Sequence, residues 1–208
     1  MEKSGEQSVM RPSDSATTKV LLRAGIELIA ENGYHGTTVG AIASAAQLSP
    51  AALYLSFESK HALLFTIIDR GGETLLQMTE DALYRAPSDP VSRLNAIVAT
   101  HVRQHLHFPR ESFIGNTELR SLDPGSRRLA IVRRDSQQRL FDRAIGDGAS
   151  VGVFETQYPL ETSRAVVTAC TAVANWYRPD GLLSADEVIE RYQHISLHAV
   201  GYHGKSHS

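Results

Sequence analysis

The sequence predicts an all-α protein of about nine helices. Three observations carry this. Apolar residues recur at helical spacing in one segment after another; Pro, Gly and capping hydroxyls punctuate those segments; and no run reads convincingly as a strand. The 208 residues are 42% hydrophobic and 21% charged, values of a globular chain able to bury a core. One cysteine, Cys170, excludes an internal disulfide framework and suits a reducing, cytoplasmic location. No apolar run approaches bilayer length, so no membrane partner is expected. Residues 1–15 lack the apolar centre of a signal peptide and are expected to form a disordered arm, with 203–208 a loose tail.

The elements follow in order. After a first helix, Thr37-Thr38 supplies an N-cap ahead of the stripe Val39, Ile42, Ala43 and Ala46. Gln47-Leu48 makes a turn, Ser49 is expected to cap the next helix, and Pro50 suits its first position. Leu53 and Phe57 anchor that helix, leaving Pro50, Ala51, Ala52, Leu55 and Ser56 outward. Ser59 caps a long helix to about Arg85, broken by Ala86-Pro87-Ser88-Asp89-Pro90. Helices then run from about Val91 to His107, Glu111 to Ser121, and Ser126 to Ile145, the last closed by Gly146-Asp147-Gly148. Pro159 opens another to about Tyr177. Ser184, with Glu187 three residues on, opens the last as a capping box, and it ends near Gly201.

Two short helices with hydroxyls at their starts, and a Lys opening a third, make a helix-turn-helix suited to a DNA groove. The segment resembles the DNA-binding domain of the TetR (tetracycline-repressor-like) family of bacterial transcriptional regulators. The resemblance rests on Gly33-Tyr34-x-Gly36-Thr37-Thr38, Ile42-Ala43, Leu48-Ser49, Leu53-Tyr54, Phe57 and Ser59-Lys60, and covers roughly residues 16–65. It implies phosphate contacts from Thr38, Ser49, Tyr54 and Lys60, with base edges met by Pro50, Ala51, Ala52, Leu55 and Ser56.

The departures from the family pattern are informative. Pro50, Ala51 and Leu55 replace residues that are often polar, basic or glycine. Thymine-methyl contact and shape readout would therefore carry more of the specificity. Ala41 replaces a common acid, so the second helix lacks a capping box. From Arg11 to Lys60, four cations face four acids, a balance of zero that predicts a shallow salt dependence. Arg11 is the candidate for a minor-groove contact.

The resemblance implies a DNA-binding domain over 16–62 and an effector-binding and dimerisation domain over 63–202. The expected function is a ligand-responsive regulator, a repressor released from double-stranded operator DNA by a small molecule. The small residues Ala165, Ala169, Cys170, Ala172 and Ala174, and the stripe Val188, Ile189, Tyr192, Ile195 and Ala199, support pairing of the last two helices in a homodimer. Residues 176–184 look like the C-terminal signature of a TetR subgroup, some of whose members sense acyl-coenzyme A thioesters.

Candidate effector contacts are the walls His101, His105, Phe108, Phe113, Phe141 and Trp176 and the polar residues Asn116, Gln137 and Asn175. Arg120 and Arg134 are candidates for an anion. Between Arg103 and Arg143, nine Arg face five acids, which fits either an anionic apolar effector such as an acyl-CoA or a solvated helix face. The pairs His101/His105 and His194/His198 have ligand spacing but no third partner, so no metal or other cofactor is expected. No nucleophile elbow, phosphate loop or paired carboxylates point to an enzyme. The alternatives are a constitutive or partner-controlled DNA-binding protein and, remotely, a helical-bundle enzyme.

Overall fold

The computed structural model describes residues 9–204. Among these the helices are α1 (Ala16–Gly36), α2 (Val39–Ala45), α3 (Pro50–Ser56), α4 (Lys60–Arg85), α5 (Pro90–His107), α6 (Pro109–Thr117), α7 (Pro124–Ser150), α8 (Pro159–Trp176) and α9 (Ala185–Ala199). A single 3₁₀ turn, Glu118–Ser121, follows α6, and no strand occurs among the described residues. Five helices (α3, α5, α6, α7 and α8) open on proline, whose missing N–H would have no partner in the first turn.

The chain forms two compact units, with boundaries inside α4 and α7 and between α5 and α6. The first comprises the chain to Thr74 together with Phe108–Arg133. Its core is Leu21, Leu22, Ile26, Ile29, Ile42, Leu53, Leu63, Leu64, Ile67 and Ile114. Helix α1 packs on α2, α3 and α6, so a segment distant in sequence belongs with the helix-turn-helix, which a boundary at residue 62 does not convey. Gly25 lets α1 approach α4 closely as well, since a Cβ there would lie 2.7 Å from Leu63 Cδ2. The second unit takes Leu75–His107 and the chain from Arg134 onward. In it α5 packs against α8 and α9 around Leu94, Ile97, Val102, Phe141, Ile145, Val166, Cys170 and Val188.

Two expectations change. The arm expected over 1–15 is packed in its described part: Val9 is fully buried, and Asp14 accepts a 2.7 Å bond from Arg70. Arg11 reaches Glu73 at 2.7 Å and Thr74 at 3.0 Å, so its guanidinium is engaged within the protein. Residues 1–8 and 205–208 lie outside the described residues, and with them most of the expected arm and tail. Helix α7 does not stop at Gly146 but continues to Ser150. Gly148 lies within the helix, and the Phe154 ring occupies the place that a Cβ there would take. The chain leaves the helix instead at Gly152, at φ +70°, with the Val153 and Phe154 amides donating back to Gly148 O.

Candidate nucleic-acid interface and effector site

Helix α1 breaks at Gly33, whose φ of 72° only glycine adopts without strain, and this sends the chain into α2. Thr37 is buried, its hydroxyl donating to Leu28 O and Gly33 O, so it secures the break. Thr38 is the cap: its Oγ1 accepts from the Ala41 amide at 3.1 Å. Gln47, at φ 57°, makes the turn without a glycine. The axes of α2 and α3 lie at 96°, within the range of helix-turn-helix units.

Leu53 is fully buried and pins α3 down, which leaves its other face bare. Tyr54 is 57% exposed and Leu55 89%, beside exposed Pro50 and Ala51 and half-buried Ala52 and Ser56. Ser49 is exposed and makes no capping hydrogen bond, contrary to the expected cap: the Ala52 amide donates to the Ser49 carbonyl instead, at 3.0 Å. Ser59 does cap α4, accepting from the Ala62 amide.

Lys60 has a role that its motif position did not signal. Its ammonium donates to Tyr34 O at 2.8 Å and Thr37 O at 2.6 Å, and stands 4.1 Å from the Tyr34 ring centroid. The lysine clasps the end of α1 to the start of α2 and stands among carbonyls at the foot of α4. Burial lowers its pKa and raises that of Tyr34.

Of the effector candidates, the second unit brings His101, His105, Gln137 and Phe141 together in its core. The two imidazoles stack with centroids 4.4 Å apart, and Phe141 meets His101 edge-on at 5.5 Å. His101 Nε2 lies 2.9 Å from Thr171 Oγ1, and Gln137 Nε2 donates to Thr79 Oγ1 at 3.0 Å. Thr79 and Thr171 were not anticipated, since a lone threonine inside an apolar stripe carries no signal of a polar partner. Burial lowers the pKa of both histidines; at His105 its bond to His101 O opposes this and the charge of Arg134 adds to it. Arg134 itself is exposed.

The remaining candidates lie elsewhere. Asn175 and Trp176 are exposed at the end of α8, where the indole stacks on Tyr192 at 6.3 Å. Phe108, Phe113, Asn116 and Arg120 belong to the first unit, with Phe113 and Arg120 exposed. Arg110 and Arg133 of the Arg-rich segment pair with Glu27 and Asp69, so part of that charge is balanced by acids of the first unit. Cys170 is buried, its thiol pushed up to about 12 by burial, which makes it inert at neutral pH.

A right-angled helix pair with one bared face in the first unit, and a buried polar cluster in the second, define a helix-turn-helix DNA-binding protein with a second helical unit. Residues 21–67 match the bacterial regulatory proteins of the tetR family, and residues 87–200 match the tetracyclin repressor-like C-terminal domain. The chain belongs to the TetR family of bacterial transcriptional regulators. It is 26% identical to the HTH-type transcriptional repressor KstR2 of Mycobacterium tuberculosis, over 88% of this chain and 92% of that one. A tetR-family regulatory protein from Rhodococcus RHA1 superposes with a TM-score of 0.84 at 27% identity, covering 90% and 98% of the two chains. AibR, solved with isovaleryl coenzyme A and operator DNA, shares the fold at a TM-score of 0.78 and 21% identity, over 86% and 97%.

Proposed function

We propose that this ligand-responsive transcriptional repressor acts as a homodimer, each α3 entering a major groove of a pseudo-palindromic operator. The bared face of α3, with Tyr54 and Leu55 outward on a helix pinned by Leu53, carries the reading. Thr38, Ser49, Tyr54 and Lys60 are the proposed phosphate contacts, and Pro50, Ala51, Ala52, Leu55 and Ser56 the proposed base-facing set. Lys60 fills this role with the donor left over from its clasp. Leu55 is suited to a thymine methyl, and the rest of the specificity falls to groove shape.

Pairing through α8 and α9 would cover the exposed Leu160, Trp176 and Ile195. The effector is proposed to bind in the second unit at His101, His105, Gln137 and Phe141, with Arg134 at the exposed edge for an anionic group. That the fold-related AibR was solved with an acyl-coenzyme A supports an acyl-CoA or other anionic apolar compound. Release follows when the effector prefers the conformation whose reading heads no longer match the half-site spacing. A cytoplasmic location accords with this role, and no single helix among the described residues is long and apolar enough to cross a membrane.

The test is selection of bound fragments from genomic DNA with the purified full chain. Enrichment of a two-fold symmetric sequence is expected, with release of that fragment by members of an acyl-CoA and fatty-acid panel. Retention of no fragment above random competitor would overturn DNA recognition. Enrichment without release by any compound would favour a constitutive binder.

A further inference from the structure

The polar cluster in the core of the second unit has a direction. Thr79 spends its hydroxyl proton on Leu75 O at 2.8 Å, so toward Gln137 it acts as an acceptor. The Gln137 amide therefore turns its NH₂ to Thr79, and the same nitrogen faces His101 Nδ1 at 3.4 Å. With Nδ1 accepting, His101 carries its proton on Nε2 and donates to Thr171. His105 uses its Nδ1–H on His101 O at 2.8 Å, leaving Nε2 as an acceptor. The donors of Thr79, Gln137, His101 and His105 are spoken for, and what remains on the two imidazoles and the amide is acceptor.

Gln137 Oε1 is buried with no hydrogen-bond partner, on a residue only 6% exposed. An orphaned carbonyl in a core is costly, and its orientation cannot be relieved by flipping the amide while Thr79 holds it. Resting on the reading of this cluster as the effector site, we infer that the effector presents a neutral hydrogen-bond donor, a hydroxyl or an amide N–H, to Gln137 Oε1. A carboxylate or an ether has no proton to give there. Any anionic group of the same molecule belongs at the exposed edge, beside Arg134. Burial keeps both imidazoles uncharged, so the inner end of the site offers an anion no counter-charge.

Two matched probe pairs test this on the full-length protein: decanol against its methyl ether, and ω-hydroxydecanoate against decanoate. Thermal shift and release of the selected operator fragment are read for each. The hydroxyl-bearing member should act at concentrations about tenfold lower in at least one pair. In Gln137→Met that advantage should vanish while the ether or decanoate response persists. Thr79→Val, which frees the amide to rotate, should shrink the advantage without abolishing the response. Equal potency within both pairs, as a water molecule held at Oε1 would give, overturns the inference and leaves the effector reading standing. Donor preference that survives Gln137→Met also overturns it. No response to any of the four probes counts against the effector reading itself, and the inference falls with it.

Discussion

Single atoms decide much at the residue scale. Gly148 is a glycine because the Phe154 ring lies against its Cα, and a methyl group there has to displace a buried ring. Gly148→Ala is therefore expected to destabilise the second unit by about 2 kcal/mol, read as a lower midpoint in urea. An unchanged midpoint would mean that the ring moves freely. Lys60 and Tyr54, equivalent by motif, separate in the structure. Tyr54 is bared, so Tyr54→Phe or Tyr54→Ala should weaken operator binding and leave the melting temperature unchanged. Lys60→Met removes the clasp on Tyr34 O and Thr37 O, and both affinity and melting temperature should fall. Anisotropy titrations paired with thermal melts distinguish the two.

Among the elements, the contrast is between caps. The start of α9 is a complete capping box, Ser184 Oγ accepting from the Glu187 amide and the Glu187 carboxylate accepting from the Ser184 amide. Ser184→Ala should cost about 1 kcal/mol. Ser49 stands at the start of α3 without a cap bond, so Ser49→Ala should leave stability within about 0.5 kcal/mol and show itself only in operator affinity. Equal losses of stability at the two positions would contradict this division. Here the sequence was legible in one case and misleading in the other. Serine before a helix signals a cap, but at α3 the Ala52 amide that the hydroxyl could serve donates to the Ser49 backbone carbonyl.

The whole molecule responds to pH and salt through groups far apart in sequence. Burial depresses the pKa of His101, with the neighbouring charge of His105 adding to it, and burial likewise depresses His105 below the ordinary value of 6.5. The unfolded chain binds protons there before the folded one does, so stability is full above that value and falls as pH drops through it. Each histidine contributes at most about 1.4 kcal/mol per pH unit. Melting temperatures should fall between about pH 7 and pH 5, less steeply in His101→Asn; a flat profile would show that the cluster opens to water. Asp14 works in the same sense at more acidic pH. Its burial raises the pKa, but the bonds from Arg70 and the Arg11 amide more than offset it. With Arg11 held by Glu73 and Lys60 by carbonyls, few cations remain for phosphate. Operator affinity should therefore fall with salt less steeply than the roughly tenth-power dependence of a ten-phosphate binder.

Spacing along the chain was enough to determine the helix count among the described residues, the helix-turn-helix and the outward Pro50, Ala51 and Leu55, because helical periodicity, proline starts and hydroxyl caps are local. The tertiary structure alone decided that α6 joins the first unit, that α7 runs past its glycines, and that Lys60 turns inward. It also decided that threonines from α4 and α8 complete the polar cluster around His101 and Gln137. Each of these depends on which surfaces meet, and helical spacing, caps and turn residues do not encode which side chain will lie against which backbone.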